Sequence, residues 1–183
     1  KGDVLKVRRA RAWGGASAVR FSGFLETGKR LLEGKASGEF DLAKWISGGY
    51  PGASFARHAL RRGRIEFSAS AAGAWDNPEG QLRIKLRGGD FHGNAVPDAE
   101  AALSAKGRVV RLDSARAKLL GGAFEASGSY DLDASRVSLA AGIARFSLSS
   151  VPWGGLGIPF RLSGTADLEA AFSGTPDRLR GDV

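Results

Sequence analysis

Apolar and polar residues alternate along almost the whole chain. In "GGAFEASGSYDLD" (121–133), Phe124, Ala126, Gly128, Tyr130 and Leu132 alternate with Glu125, Ser127, Ser129 and Asp131. Period two is the mark of a strand with one dry and one wet face. The pattern recurs in "GGASAVRFSGFL" (14–25), "EGKASGEFDLA" (33–43) and around Leu5 and Val7. Ile65 and Phe67 share a face with Ala69 and Ala71; Leu82, Ile84 and Leu86 oppose Arg83, Lys85 and Arg87. Leu103 continues the set through Ala99, Ala101 and Ala105. Further on, Val137, Leu139, Ala141 and Ile143 form an apolar set, whose parity then switches to Ala144, Phe146 and Leu148. A one-residue slip inside an apolar run predicts a β-bulge. The longest alternation runs Phe160, Leu162, Gly164, Ala166, Leu168, Ala170, Phe172.

Turn-forming clusters separate these runs: "WDNPEG" (75–80), "GGD" (88–90), "AVPDAE" (95–100), "VPWGGLGIP" (151–159) and "GTPD" (174–177). About eleven strands of about 7–15 residues result, with no crossover helix between them. The expectation is all-β: a long antiparallel meander, one continuous segment over 1–183. One stretch, about 43–62, departs from period two and is read as a helical or loop insert. Ser54 caps a predicted short helix near 53–62, lying over an end or edge of the sheet.

A sheet with one apolar face must hide it. A second sheet would close it into a β-sandwich, an assembly or interaction module. Alternatively the sheet curls into an open half-pipe with an apolar interior. Small inward residues such as Ala115, Ala117, Gly128, Ala141 and Ala170 leave room for curling, and an open furrow of that size calls for a ligand. The candidate lining is Ile65, Phe67, Leu82, Ile84, Leu86, Leu103, Phe124, Tyr130, Leu132, Val137, Leu139, Ile143, Phe146, Leu148, Phe160, Leu162, Leu168 and Phe172.

Composition changes this picture little, charge more. The 183 residues hold 43% hydrophobic and 25% charged side chains, ordinary for a folded chain. No run reaches the roughly 18–20 apolar residues that span a bilayer as a helix. The absence of Cys excludes a disulfide framework and thiolate metal sites. The net charge of +8 falls on residues 1–90, where 17 Lys+Arg face 9 Asp+Glu; residues 91–183 hold 10 of each. Arg8, Arg9, Arg11, Arg61 and Arg62 are candidates for contact with lipid head groups or a membrane. These basic residues lack the interleaved aromatic platform that single-stranded nucleic acid needs, so nucleic acid is not an expected partner.

The chemistry of a reaction is missing. His58 and His92 are far apart and carry no motif, so no metal site is expected. "GKRLLEGKAS" (28–37) departs from the phosphate-loop pattern in spacing and in its last residue. "GGLG" (154–157) is too short for a dinucleotide fingerprint. The chain is read as non-enzymatic, without catalytic residues or cofactor.

"LSAKGRVVRLDSARAKLLGGAFEASGSYDLDASRVSLA" (103–140) resembles the AsmA-like and TamB superfamily of bacterial envelope proteins. Its order is a G–basic–apolar–apolar strand, a loop with Ala and Arg, then "LGGAFEASGSYDL". "SASAAGAWDNPEGQLRIKLRG" (68–88) is similar to the other half of that pattern, and "LSGTADLEAAFSGTPDRLRGDV" (162–183) repeats it. The 45–62 insert is a departure. The resemblance implies a section of a longer periplasmic chain anchored in the inner membrane, folded as a taco-like sheet. It implies phospholipid acyl chains as cargo, neighbouring β-segments of the same parent chain as partners, and an outer-membrane barrel protein as a further partner. The implied role is passage of phospholipid between inner and outer membranes, with a closed β-sandwich assisting outer-membrane protein insertion as the alternative.

Overall fold

The computed structural model describes residues 3–14, 17–47, 62–74, 76–91, 94–151, 162–175 and 178–182. They form one antiparallel sheet of 11 strands whose spatial order is the order of the chain. The strands are β1 (Val4–Gly14), β2 (Ser17–Glu26), β3 (Leu31–Asp41), β4 (Arg64–Ala74), β5 (Asn77–Phe91) and β6 (Asn94–Lys106). They continue as β7 (Val109–Leu119), β8 (Gly122–Asp131), β9 (Arg136–Ser147), β10 (Thr165–Thr175) and β11 (Arg178–Asp182). The sheet is not closed: each strand packs extensively only against its ladder neighbours. Among the described residues no second sheet covers it, so the sandwich arrangement is not the one adopted.

Short hairpins fit this connectivity. Leu120 and Gly121 both take positive φ (52° and 79°) in the two-residue link between β7 and β8. Positive φ at both central residues matches the twist of the flanking strands. Between β8 and β9, the Asp131 carboxylate accepts the N–H groups of Asp133 and Ala134, an Asx turn. Two expected turns are corrected. "GGD" (88–90) lies inside β5 and "AVPDAE" (95–100) inside β6. Gly88 there has φ +62°, which breaks the alternation without ending the strand. A Cβ built on Gly89 would lie 2.7 Å from Leu86 Cδ2, so positions 86 and 89 sit on the same side.

Three bulges keep the dry face in phase. In each, two residues oppose one: Arg8–Arg9 against Ser22, Asp113–Ser114 against Ser127, and Ala144–Arg145 against Asp167. The parity slip expected near Ala144 is the third of these. Arg145 takes φ 54° and donates its N–H to Asp167 Oδ1 at 2.5 Å. Ile143 and Phe146 consequently share a face although they are three residues apart. A bulge also bends its strand and deepens the local twist.

Burial is scarce. Only Leu42, Leu86 and Val96 are buried apolar side chains among the described residues, with Ile65, Ala99, Ala117 and Leu119 packed around them. Leu42 opens the six-residue helix α1 (Leu42–Ser47), where the Asp41 carboxylate accepts the Lys44 N–H at 3.1 Å as an N-cap. This small cluster closes one end of the dry face. The helix expected over 53–62 lies outside the described residues. The accessible surface is 12824 Å², against about 8,400 Å² for a compact monomer of 19.1 kDa. A sheet with one uncovered face accounts for an excess of that sign.

Candidate functional site

The ladder register aligns side chains into rows that run across the strands. Every row on one face is apolar. The first row is Phe40, Ile65, Leu86, Ala99, Ala117, Phe124, Ile143, Leu168. The next carries Phe67 and Ile84, then Ala101, Ala115, Ala126, Ala141 and Ala170 on five successive strands. The third holds Phe21, Ala36, Ala69, Leu82, Leu103, Leu112, Gly128, Leu139 and Phe172. The fourth holds Gly23, Gly34, Ala71, Gly80, Ala105, Val110, Tyr130 and Val137.

The relief of this face follows from side-chain size. The five alanines make a furrow perpendicular to the strands. Phe124, Ile143 and Leu168 form one wall; Leu103, Leu112, Leu139 and Phe172 form the other. Four strand spacings of about 4.8 Å give the furrow a length of about 19 Å. On β2–β6 the small residues move to the fourth row, from Gly23 to Ala105. Around Val7, Phe21, Gly23, Leu25, Leu32 and Gly34 lies a depression of about 420 Å³. Glycine rows serve a second purpose here. A Cβ on Gly34 would stand 3.4 Å from the Phe21 ring, one on Gly38 2.9 Å from the Phe67 ring. Aromatic rings therefore lie over the neighbouring strand's glycines, which fills the gaps and lowers the ridges. Away from the Leu42–Val96 cluster the face stays open: Phe21 is 43% exposed, Leu168 47% and Phe172 36%.

Most of the expected lining residues stand on this face: Ile65, Phe67, Leu82, Ile84, Leu103, Phe124, Tyr130, Val137, Leu139, Ile143, Phe146, Leu168 and Phe172. Leu86 is also there, but buried within the Leu42–Val96 cluster rather than open. Three others lie off the strands. Leu132 is exposed in the turn after β8, Leu148 is in a 3-10 turn (Leu148–Ser150), and Leu162 precedes β10. Among the described residues the expected strand alternation begins at Thr165; Phe160 lies outside them. Sequence reasoning omitted Phe21 and Leu25 from the lining, although "SAVRFSGFL" carries the alternation, and Leu32 as well. It also missed Leu42 and Val96. Leu42 follows the last strand position of β3, and Val96 is placed by the break at Gly88, which no period reveals.

The opposite face is wet. Several of its carboxylates meet cations across the strands: Glu66 with Arg87 at 3.0 Å, Glu79 with Lys106 at 3.2 Å, Glu125 with Arg116 at 3.3 Å. These pairs are exposed, and each contributes about 0–1 kcal/mol. Arg8, Arg9 and Arg11 belong to this wet face, away from the furrow. Arg62 is exposed and lies 3.7 Å from Asp90; Arg61, His58 and His92 fall outside the described residues. Among the described residues no group of His, Asp and Glu is arranged to hold a metal ion. Among the described residues no helix is long and apolar enough to cross a membrane. No family model, curated protein or solved structure matches the chain.

Proposed function

We propose that this chain is a section of a lipid conduit of a bacterial envelope, related to the AsmA-like and TamB superfamily, in which the dry face shields phospholipid acyl chains. The observation that carries the reading is the unbroken apolar face of an open 11-stranded sheet, with a small-residue furrow running across the strands. A fully buried methylene gains about 0.8 kcal/mol, so a 16-carbon chain would gain on the order of 10 kcal/mol in a closed pocket and be trapped there. In an open furrow one side of the chain stays uncovered. The gain per methylene is then about half, and it is the same at each step along equivalent alanines. That combination holds a chain out of water and lets it slide. The charged head group cannot enter an apolar floor without a large desolvation cost, so it rides outside in water. On this reading the protein works in the periplasm, as part of a parent chain anchored in the inner membrane. Its end strands pair with neighbouring β-segments of that parent, and an outer-membrane barrel protein receives the lipid.

The test is photo-crosslinking in the cell. Probes replacing Ile84 and Leu168 should capture lipid, whereas probes at Lys85 and Glu169, one residue along, should not. Capture of a polypeptide at Ile84 and Leu168 would turn the reading to a docking face for an apolar protein segment. Equal lipid capture at both parities would mean bare membrane proximity and would defeat the conduit.

A further inference from the structure

The wet face has its own relief, and one part of it differs from the rest in charge. Depressions lie among its side chains, and four of them, lined by described residues, can be compared. One contains Glu33 and Glu79, a second Asp113, Glu125, Glu169 and Asp182, and a third Asp98, Glu100 and Glu125. The fourth, of about 480 Å³ over β1–β5, has no carboxylate in its lining. Its cations are Arg8, Arg9, Arg20, Lys35 and Arg83. None of them takes part in the ion pairs formed elsewhere by Arg62, Arg64, Arg87, Lys106, Arg108 and Arg116.

The register explains how these charges converge. Arg20, Ser37, Ser68 and Arg83 are consecutive partners across β2–β5. Beside them run Ser22, Lys35, Ser70 and Gln81. The first bulge sets both Arg8 and Arg9 opposite Ser22. Arg20 and Arg83 are three strand spacings apart, about 14 Å, with only serines between them. Two long guanidinium side chains can close over a ligand seated on that hydroxyl floor. Like charges gathered without counter-ions raise one another's energy, and a bound anion removes that penalty. Guanidinium forks fit phosphate oxygens, and hydroxyls donate to the remaining ones.

We infer that the wet face of β1–β5 is a second binding site, for a compact anion carrying two or more phosphate groups. It lies on the opposite side of the sheet from the furrow and does not rest on the lipid reading. The phosphates can belong to a soluble polyphosphate or to a phosphorylated lipid head group, and two experimental arms separate these sources. The protein is titrated calorimetrically with inorganic tripolyphosphate, and in parallel with vesicles containing a lipid bearing two phosphate monoesters in a zwitterionic background. The expected result is saturable binding in at least one arm, which identifies the source. Binding weakens at least tenfold in the Arg20→Gln/Arg83→Gln double variant. It stays within about twofold in Arg87→Gln/Arg116→Gln, which removes the same net charge from carboxylate-paired positions. Equal weakening in both double variants would reduce the effect to diffuse net charge and overturn the site. So would the absence of saturable binding in both arms, or binding only to vesicles of singly charged lipid. Thermal melts of both variants check folding; these side chains are exposed and unpaired or surface-paired, so no melting shift beyond a few degrees is expected.

Discussion

Placing a large ring in the alanine furrow distinguishes an open slot from a covered core, because the two predict opposite changes in stability. Ala126 stands on β8, the middle strand of the five that carry Ala101, Ala115, Ala126, Ala141 and Ala170. In a packed interior, Ala126→Phe would force neighbours off their rotamers and cost about 1–3 kcal/mol. On this sheet the ring has open space above it, and Phe suits a pleated surface better than Ala by up to about 1 kcal/mol. Folding stability is therefore expected to hold or rise slightly. The effect on a ligand runs the other way. A ring across the furrow displaces about four methylenes from the floor. At about half of 0.8 kcal/mol each, the loss is about 1.6 kcal/mol, roughly fifteenfold in Kd. Stability is read by equilibrium urea unfolding and binding by titration with a fluorescent long-chain fatty acid. Ser127→Phe, one residue along on the wet face, should leave binding within twofold. A loss of more than about 1 kcal/mol in Ala126→Phe would show that something covers the alanines. A folded Ala126→Phe protein with unchanged fatty-acid affinity would remove the furrow from the binding path.

Two further changes probe charge and the small core. Ile84→Asp should lower fatty-acid binding at least tenfold while Lys85→Gln leaves it near wild type; Ile84 is half-buried, so the new carboxylate reaches water, and a cooperative melt verifies that the variant folds. Leu86→Ala removes the centre of the Leu42–Val96 cluster and should cost about 2–3 kcal/mol by urea unfolding, the lower part of the range for buried leucines because this cluster is small and open at its rim. A change below about 0.5 kcal/mol would mean that α1 does not anchor the end of the sheet.

The fold was legible because a meander of hairpins needs little beyond period two and turn residues. Phe124, Gly128 and Tyr130 declare their face by spacing alone, and the slip at Ala144 announces its bulge by breaking the parity. The bulges at Arg8–Arg9 and Asp113–Ser114 are harder to see, since their extra residues are polar and fall between short apolar sets. Gly88 and Pro97 misled in the other direction. They are turn residues by composition, yet β5 and β6 run through them, with positive φ at Gly88 absorbed as a break within the strand. The furrow was out of reach of the sequence for a different reason. Ala101, Ala115, Ala126, Ala141 and Ala170 are neighbours only through the register, and register depends on every hairpin and bulge between them. The basin of Arg20 and Arg83 is hidden in the same way, because no local pattern tells which cation has a carboxylate opposite.

The absence of a closed core has a consequence for how such a sheet can be lengthened. In a sandwich, each strand depends on packing against distant parts of the chain. Here the extensive contacts of a strand are with the strands before and after it. Stability then behaves as a sum of nearest-neighbour terms, as in repeat proteins. Each added hairpin contributes its ladder hydrogen bonds and its row neighbours, and it leaves the existing rows undisturbed. Each bulge places its extra residue on the wet face, so local curvature can change without interrupting the dry one. A furrow built this way has no intrinsic length. It extends with the number of strands, at about 4.8 Å per strand, and keeps the same apolar floor throughout. A closed cavity could not grow by this route, because every new strand would change its volume and its packing.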